Sequence, residues 1–421
     1  IYDQLGGGFH RYAVDAVWLV PHFEKMLYDN AQLIRIYLHL FQITNDEFFK
    51  RIAVETLGYV KREMLNDSGG FYSSQDADSD GEEGKFFVWT PEEVAEVLGK
   101  EDAADFCRTY DVTTDGNFEG SNILNLKNPS AYADGSAFDA ARSKLFAARE
   151  ERVKPFRDEK VLTAWNGLML AAFAEAAAVL SNDEYLEIAK RNADFLLTEL
   201  REPDRLLRTW KDGRAKLNGY IEDYANLADG LIELYQISSI QRYLDEAKSL
   251  ADAMITEFWD EENGGFFFTS NDHEELIVRN KDFFDNATPS GNSVAADVLL
   301  RLSKFYGEEK YEAFALTALS LASAQIRRFP SGFGRALATL EFHLADAKEV
   351  AIIAERGSDL EREVWSSYRP FKVVAVGTGN STLPILNDRQ RVNGRPTAYV
   401  CENFVCGRPV TSVEELREVI Q

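Results

Sequence analysis

The chain has 421 residues, of which 45% are hydrophobic and 28% charged, a composition typical of a globular protein that excludes intrinsic disorder. Its 46 basic and 70 acidic residues give a net charge of −24, which repels nucleic acid and anionic lipid, so we expect neither as a partner. There is no apolar run of about 18 residues and no signal peptide at the start, which predicts a cytoplasmic protein without a membrane span.

Apolar residues recur every three or four positions along much of the chain, a spacing typical of amphipathic helices. In chain order, the pattern predicts helices at 17–43, 46–65, 91–99, 136–150, 163–180, 184–200, 221–239, 242–258, 290–306 and 310–328. Short links such as "TND", "SND" and "GEE" join neighbouring helices into antiparallel hairpins. The connections 66–90, 201–220 and 259–289 are long.

A Gly-Gly-Phe motif recurs in the long connections, at residues 7–9, 69–71 and 264–266, with a related Gly-Phe at 332–333. Gly8 and Gly70 are 62 residues apart, Gly265 and Gly332 are 67 apart, and Gly70 and Gly265 are separated by 195 residues, or three periods of 65. A repeat of two helices and one long loop cannot bury its apolar faces alone, so the repeats are expected to pack into a closed ring or a solenoid.

The pattern changes after residue 345, where "EVAIIA", a short helix near 358–367, "FKVVAVG" and "TAYVCENFVC" indicate strand, helix, strand and strand. We therefore predict a mainly α-helical domain at 1–345 and a small α/β appendage at 346–421 that caps it. Cys107, Cys401 and Cys406 are too few for a disulfide framework, and their spacing fits no redox or zinc motif, so we expect three thiols.

In a ring of hairpins, all long loops gather at one end, where the first helix of each pair begins and presents partial positive charge. Polar residues cluster in those first turns, and any one of them could simply cap its helix. Together they predict a pocket lined by carboxylates and aromatic rings, which suits a sugar.

Two carboxylates can hydrolyse a glycosidic bond as acid and as base or nucleophile. Glu24 and Asp223 are the first pair, and Asp285 is held in reserve. The remaining candidates are predicted to bind the sugar: Arg11, Trp18, His22, Asp76, Asp78, Trp165, Asn166, Trp210, Tyr224, Arg279 and Asn292.

Neither a metal nor a cofactor is expected. The loop "DADSDGEEGKFF" resembles a calcium loop, but Phe87 occupies the position of the bidentate glutamate. A sugar epimerase that uses a pair of histidines on late inner helices is disfavoured, because only His273 and His343 follow His39 and neither is expected on an inner helix.

Several segments closely resemble the YyaL-type thioredoxin-domain family, relatives of spermatogenesis-associated protein 20: "IYDQLGGGFHRYAVDAVWLVPHFEKMLYDNAQL", "GGFYSSQDADSDGEEGKFFVWT", "VLTAWNGLML", "IEDYANL", "DNATPSGNSVAADVLLRL" and "TAYVCENFVC". The resemblance runs from Ile1 to Cys406 and implies a six-hairpin, glycosidase-like (α/α)6 toroid, similar to that of N-acylglucosamine 2-epimerases and several glycoside hydrolases.

Members of that family carry an N-terminal thioredoxin-like domain and the first toroid helices, which are not in this sequence. We therefore expect a fragment or truncated homologue whose ring lacks its first hairpin, with a missing segment or partner chain covering the gap. The resemblance does not assign a reaction. Three hypotheses stay open: a glycoside hydrolase, a non-catalytic toroid that binds a sugar or protein beside a thioredoxin-like domain, and a sugar epimerase or isomerase.

Overall fold

The computed structural model describes residues 1–127, 138–203, 205–273, 277–379 and 381–420. About half of these residues are helical, and several small sheets accompany the helices. The chain divides into two compact units: residues 1–67 with 71–160, and residues 68–70 with 161–421. In the described ranges, no helix has the length and apolar character needed to cross a membrane. The domain boundary predicted between residues 345 and 346 stays a prediction.

The first unit combines helices with very short strands. Its helices are α1 Leu27–Thr44, α2 Glu47–Tyr59 with a π-helical turn Val60–Met64, α3 Pro91–Leu98, α4 Lys100–Thr109 and α5 Asp139–Glu150. Its strands are β1 Lys25–Met26, β2 Ser74–Gln75, β3 Asp78–Ser79, β4 Glu82–Glu83 and β5 Arg157–Asp158, with β2 pairing to both β1 and β5. Positions 136–137 of the predicted helix 136–150 lie outside the described residues.

The prediction that the first helix begins at residue 17 is wrong, because α1 begins at Leu27. Trp18 (φ 62°) and Phe23 (φ 35°) have left-handed backbone conformations that no α-helix accepts. The backbone instead folds back on itself, with the N–H of His22 donating to the carbonyl of Tyr12 at 2.9 Å. "PHFEK" therefore precedes the helix.

The second unit contains three helical hairpins, α6 Thr163–Val179 with α7 Asp183–Glu199, α8 Ile221–Ser238 with α9 Gln241–Phe258, and α10 Gly291–Tyr306 with α11 Glu309–Arg328. All six predicted helices are confirmed to within one residue at each end. The sequence did not predict the helices α12 Gly334–Leu344 and α14 Val413–Val419. It also did not predict that the connection 201–220 forms three strands, β7 Arg201–Glu202, β8 Arg205–Lys211 and β9 Arg214–Asn218. A further strand, β6 Val161–Leu162, pairs with β8.

Helices α6, α8 and α10 form the inner layer of this unit. Nearly every residue of α6 and α8 is buried, as expected for helices that are apolar or small on all sides. The helices α6 and α8 approach closely at Gly167, where an added Cβ would lie 2.4 Å from the carbonyl carbon of Asn226. A larger side chain at Gly167 would push the two helices apart.

A four-stranded sheet follows the helices, in the order β11 Lys372–Gly377, β10 Lys348–Ile353, β12 Thr397–Glu402 and β13 Val405–Cys406, with α13 Asp359–Trp365 between β10 and β11. The prediction of three thiols is wrong, because Cys401 and Cys406 form a disulfide. The two cysteines are directly opposite each other in the β12–β13 hairpin, a register that their sequence spacing does not reveal. Cys107 is a free, half-buried thiol.

Two of the Gly-Gly-Phe motifs are each held by an asparagine side chain that forms two hydrogen bonds with the backbone of the phenylalanine. In both, the two glycines have positive φ (74° and 80° at Gly7 and Gly8, 73° and 76° at Gly264 and Gly265). Asn30 accepts a hydrogen bond from the N–H of Phe9 at 2.8 Å and donates to its carbonyl at 3.1 Å. Asn292 does the same to Phe266, at 2.8 and 2.9 Å. Each Asn lies in the first turn of the following helix and ties the loop to it.

Candidate active site

In the first unit, a cluster of charged side chains surrounds the segment that leads into α1. Arg11 Nη1 lies 3.3 Å from Glu24 Oε2, and His22 Nε2 lies 3.6 Å from the same oxygen. His22 Nδ1 contacts Glu83 at 3.2 Å, and the ring of Tyr12 stacks on His22 with centroids 4.9 Å apart. The structure thus brings together three predicted site residues, Arg11, His22 and Glu24, on a half-exposed surface.

Asp29, two residues into α1, has the most perturbed carboxyl group of this cluster. Burial raises the pKa of Asp29 to about 7, against the opposing charge of Arg11. Its Oδ2 is buried and has no hydrogen-bond partner, although the residue as a whole is half-buried. Arg11 interacts with the hydroxyl of Tyr28 in addition to Glu24. A carboxyl group with these properties keeps its proton up to neutral pH and can act as an acid.

The other predicted residues of the first unit are exposed. Trp18 is 67% exposed. Its loop is held by Asp15, whose Oδ1 accepts hydrogen bonds from the N–H groups of Val17 and Leu19 at 2.7 and 3.3 Å. Asp76 accepts a hydrogen bond from the N–H of the next residue. Asp78 lies in β3 opposite Glu83, which contacts His22.

In the second unit, Asp223 is fully buried at the start of α8. Its Oδ1 accepts a hydrogen bond from the N–H of Ala164 at 2.9 Å, in the first turn of α6, and its Oδ2 accepts one from the N–H of Tyr220 at 2.8 Å. Arg208 Nη1 contacts Asp223 Oδ2 at 3.1 Å and Glu222 Oε1 at 2.8 Å. Burial raises the pKa of Asp223 to about 7, although Arg208 opposes the shift. Asp223 therefore ties two inner helices to the β8 strand.

Asp285 also bonds to backbone N–H groups. Its Oδ1 accepts from Ser290 at 2.9 Å, before α10, and its Oδ2 accepts from the N–H of Arg335 at 2.7 Å, in the first turn of α12. The side chain of Arg335 extends to Asp229 and Asp297, at 3.0 and 2.8 Å. Asp285 thus holds the backbone of Arg335, whose side chain joins a charged network between α8 and α10.

That network continues through Arg301, which is almost fully buried. Its Nη1 lies 2.9 Å from Glu233 Oε1 and its Nη2 lies 2.8 Å from Asp297 Oδ2, with Asp229 also in contact. A buried guanidinium among three carboxylates compensates charges that would each be costly alone.

Two predicted amide ligands are occupied by contacts within the protein. Besides Phe266, Asn292 donates to the carbonyl of Asp282 at 2.9 Å. Asn166 donates to the carbonyl of Leu162 at 2.9 Å and accepts from Asn192 at 3.0 Å.

The predicted aromatic and basic residues of the second unit lie in different places. Trp210 packs on Phe195 of α7 and donates to Glu199 at 3.2 Å. Tyr224 is buried, and its hydroxyl accepts from the N–H of Leu206 at 2.8 Å. Arg279 donates to the carbonyl of Thr269 at 2.6 Å and covers the ring of Phe267. Trp165 is half-buried in the first turn of α6.

Sequence reasoning missed Asp29, Arg208 and Arg335. Asp29 could have been noticed, because it follows Glu24 closely in the predicted pocket segment, but an acid in a first helical turn is usually a response to the helix dipole. Nothing in the local sequence marks Arg208 or Arg335, whose partners are distant in the chain. Glu24 and Asp29 belong to the first unit, and Asp223 and Asp285 to the second.

Within the described ranges, no group of three or more His, Cys, Asp or Glu side chains has an arrangement that could hold a metal ion.

Comparison with known proteins identifies relatives along the full length of the chain. No family model matches. Human spermatogenesis-associated protein 20 is 36% identical over 476 aligned residues, which include all of this chain and 61% of the human protein. The rat protein of the same name is 35% identical, and 60% of it is covered. The chain spans about three fifths of the length of the curated relatives it matches.

Among solved structures, a sugar epimerase from a ruminal bacterium aligns with a TM-score of 0.51 at 12% identity, over 76% of this chain and 67% of that one. The cellobiose 2-epimerase of Spirochaeta thermophila aligns with a TM-score of 0.52 at 10% identity, over 78% of this chain and 65% of that one. At these identities the likeness concerns the fold alone, and the similar structures are of the (α/α)6 toroid type. The chain therefore belongs to the family of spermatogenesis-associated protein 20, and its fold is similar to that of these sugar epimerases.

Proposed function

We propose that this protein is a carbohydrate-active enzyme that hydrolyses a glycosidic bond, with Asp29 as the general acid and Glu24 as the second carboxylate. The observation that carries the proposal is the contrast between two acids, of which Glu24 contacts Arg11 and Asp29 only feels its charge. Asp29 has a buried, unpartnered oxygen and a pKa raised to about 7, whereas Glu24 is half-exposed and pairs with Arg11. Glycosidases need such a pair, with one carboxyl protonated and the other charged.

In this mechanism, Asp29 donates its proton to the glycosidic oxygen as the bond to the leaving sugar breaks. Glu24, which pairs with Arg11, either activates a water molecule or attacks the sugar carbon, and the separation of the two carboxyl groups in the complex decides which. The stacked rings of Tyr12 and His22 and the exposed ring of Trp18 offer apolar faces to a sugar.

Asp223 and Asp285, predicted from the sequence as catalytic, lie in the second unit and take no part in this mechanism. Each accepts two backbone hydrogen bonds from the start of two different segments. Both carboxylates therefore hold backbone segments of the second unit in place.

Non-catalytic sugar binding is the second candidate. It is favoured by the same contacts of Asp223 and Asp285, because carboxylates that hold helix ends are not available for proton transfer. Sugar epimerisation, the activity named for two similar structures, remains a third outcome to test. A thioredoxin-like domain or partner chain beside this toroid also stays a prediction.

The test is product analysis by chromatography after incubation with a panel of disaccharides and oligosaccharides. Asp29→Asn and Glu24→Gln should each lower hydrolysis by about 100-fold or more, the usual contribution of an acid–base group. Glu47→Gln, which changes an exposed acid in the first turn of α2, is the matched control and should leave the rate unchanged.

Binding of the same sugars, measured by calorimetry, separates the candidates. Sugar binding without turnover in the unmodified protein would favour the binding protein, and epimerised disaccharide would favour the epimerase. Hydrolysis that survives in Asp29→Asn would contradict the assignment of the acid.

A further inference from the structure

The disulfide Cys401–Cys406 joins one buried and one exposed residue across the β12–β13 hairpin. Cys401 is completely buried, whereas Cys406 is exposed at the surface. A thiolate from solution can therefore approach one sulfur of the pair and not the other. In thiol–disulfide exchange, the accessible sulfur is attacked and the other leaves.

Arg389 contacts both sulfurs. Its Nη2 lies 3.2 Å from Cys401 Sγ and 3.0 Å from Cys406 Sγ. Its Nη1 donates to the carbonyls of Pro384 and Ile385, which hold the guanidinium in this position. A cation beside a thiolate lowers the pKa of the thiol, and a thiol of lower pKa is a better leaving group.

The surface next to Cys406 has room for a reacting partner. A groove of about 400 Å³ runs beside Cys406 and is lined in part by Glu402, Val405 and Arg408. Phe404 and Val405, in the hairpin turn and the last strand, are 48% and 77% exposed. Exposed apolar side chains beside a reactive sulfur provide a contact surface for an incoming peptide or protein.

We propose that Cys401–Cys406 is a thiol–disulfide exchange site that accepts electrons from a dithiol, with Cys406 as the attacked sulfur and Arg389 stabilising the Cys401 thiolate. This activity is independent of the proposed hydrolase. A disulfide that only staples a hairpin would need neither an exposed sulfur nor a guanidinium on both sulfur atoms.

The exchange proceeds in two steps. A thiolate of the reductant attacks Cys406 Sγ, which forms a mixed disulfide, breaks the Cys401–Cys406 bond and leaves Cys401 as a thiolate beside Arg389. The second thiolate of the reductant then attacks the reductant's other sulfur, the one bonded to Cys406 Sγ. This releases Cys406 as a thiolate and the reductant as a cyclic disulfide. Two electrons pass from the dithiol to the protein, and the two thiol protons are taken up by solvent or by the new cysteine thiolates.

The experiment incubates the folded chain with dithiothreitol or glutathione without denaturant, followed by alkylation and mass spectrometry. Dithiothreitol should reduce the pair while circular dichroism remains native, and glutathione should be found on Cys406 and not on Cys401. Arg389→Gln should slow the reduction by about three- to tenfold, from the loss of thiolate stabilisation. Cys107, whose pKa is raised by burial, serves as an internal reference for slow alkylation.

Arg408→Gln is the matched control, because Arg408 lines the same groove, is exposed and contacts Glu415 rather than a sulfur. Equal slowing by Arg389→Gln and Arg408→Gln would overturn the role of Arg389. Reduction only after denaturation, or glutathione on Cys401, would overturn the exchange site itself. These two readouts need no variant, so they hold even if Arg389→Gln does not fold.

Discussion

Replacing Asn292 by alanine tests whether the Gly-Gly-Phe loops are held by the following helix. Asn292 is 2% exposed and makes three hydrogen bonds, one from the N–H of Phe266 and two to the carbonyls of Phe266 and Asp282. Alanine removes all three and fills none of the vacated positions. The buried N–H of Phe266 then has neither the amide oxygen nor ready access to water.

The expected cost follows from these contacts. A buried donor left without a partner costs about 1–3 kcal/mol, and each lost bond to a carbonyl oxygen about 0.5–1.5 kcal/mol. We therefore expect Asn292→Ala to lower the free energy of unfolding by about 2–6 kcal/mol, a large fraction of the stability of an ordinary domain. Asn292→Asp should be at least as harmful at neutral pH, because a carboxylate would face two carbonyl oxygens.

Asn30 offers an independent repeat of the same experiment in the other unit. It accepts from the N–H of Phe9 and donates to the carbonyls of Phe9 and Met26, the last at 2.9 Å, and it is fully buried. Asn30→Ala should therefore cost about the same 2–6 kcal/mol. Asn271→Ala, which changes an exposed amide, is the control and should stay within about 0.5 kcal/mol.

Urea denaturation gives the free energies, and hydrogen exchange shows where the protein loosens. Exchange should rise around residues 264–268 in Asn292→Ala and around 7–11 in Asn30→Ala, because the two units are distinct. If either alanine variant matched Asn271→Ala in stability, or if exchange at the Gly-Gly-Phe loops were unchanged, the idea of a repeated clamp would have to be abandoned.

Three further predictions concern stability. The pKa of Asp29 is about 7 in the folded protein and about 3.9 in an unfolded chain, so the ionised carboxylate destabilises the fold increasingly as the pH rises to 7. Asp29→Asn removes this cost, and its free energy of unfolding relative to the parent, from thermal melts, should be about 1–2 kcal/mol more favourable at pH 8 than at pH 4. An equal effect at both pH values would argue against the raised pKa. Gly167→Ala should destabilise the fold by about 1–3 kcal/mol, because the added Cβ clashes with α8, whereas Gly58→Ala, in a helix with open space around this position, should stabilise the fold by about 0.5–1 kcal/mol. If urea unfolding showed both variants stabilised or both destabilised, the close approach of α6 and α8 at Gly167 would be refuted. Arg301→Met should cost about 3–5 kcal/mol in the same assay by leaving buried carboxylates uncompensated, and a neutral result would mean that they take up protons at no cost.

The helices of the second unit could be predicted from the sequence almost residue by residue. Helices α6 to α11 bury a continuous set of apolar side chains, and the spacing of those residues is visible locally. The apolar pattern predicts a first helix that begins ten residues too early, at residue 17 instead of Leu27, because "AVWLVPHF" is apolar as well. Its residues include Trp18 and Phe23 with left-handed backbone conformations, which a hydrophobic pattern cannot indicate.

The candidate site was predictable only as a region. The sequence predicts Arg11, His22 and Glu24 as site residues, because they lie within fourteen positions of one another in a Gly-rich segment. The structure places these three side chains together. Whether an acid carries a proton depends on its burial and its neighbours, so Asp29 could be distinguished from an ordinary first-turn acid only in three dimensions.

By itself, the sequence determined the helical periodicity, the repeated Gly-Gly-Phe motif and the acidic surface, because each depends on residue types at short spacing. Tertiary structure alone decided that Asp223 and Asp285 hold helix ends, that Arg335 and Arg301 link carboxylates of α8 and α10, and that Cys401 meets Cys406 across a hairpin. These contacts join atoms that are distant in the chain or set by strand register, and their energies depend on burial, which no local pattern encodes.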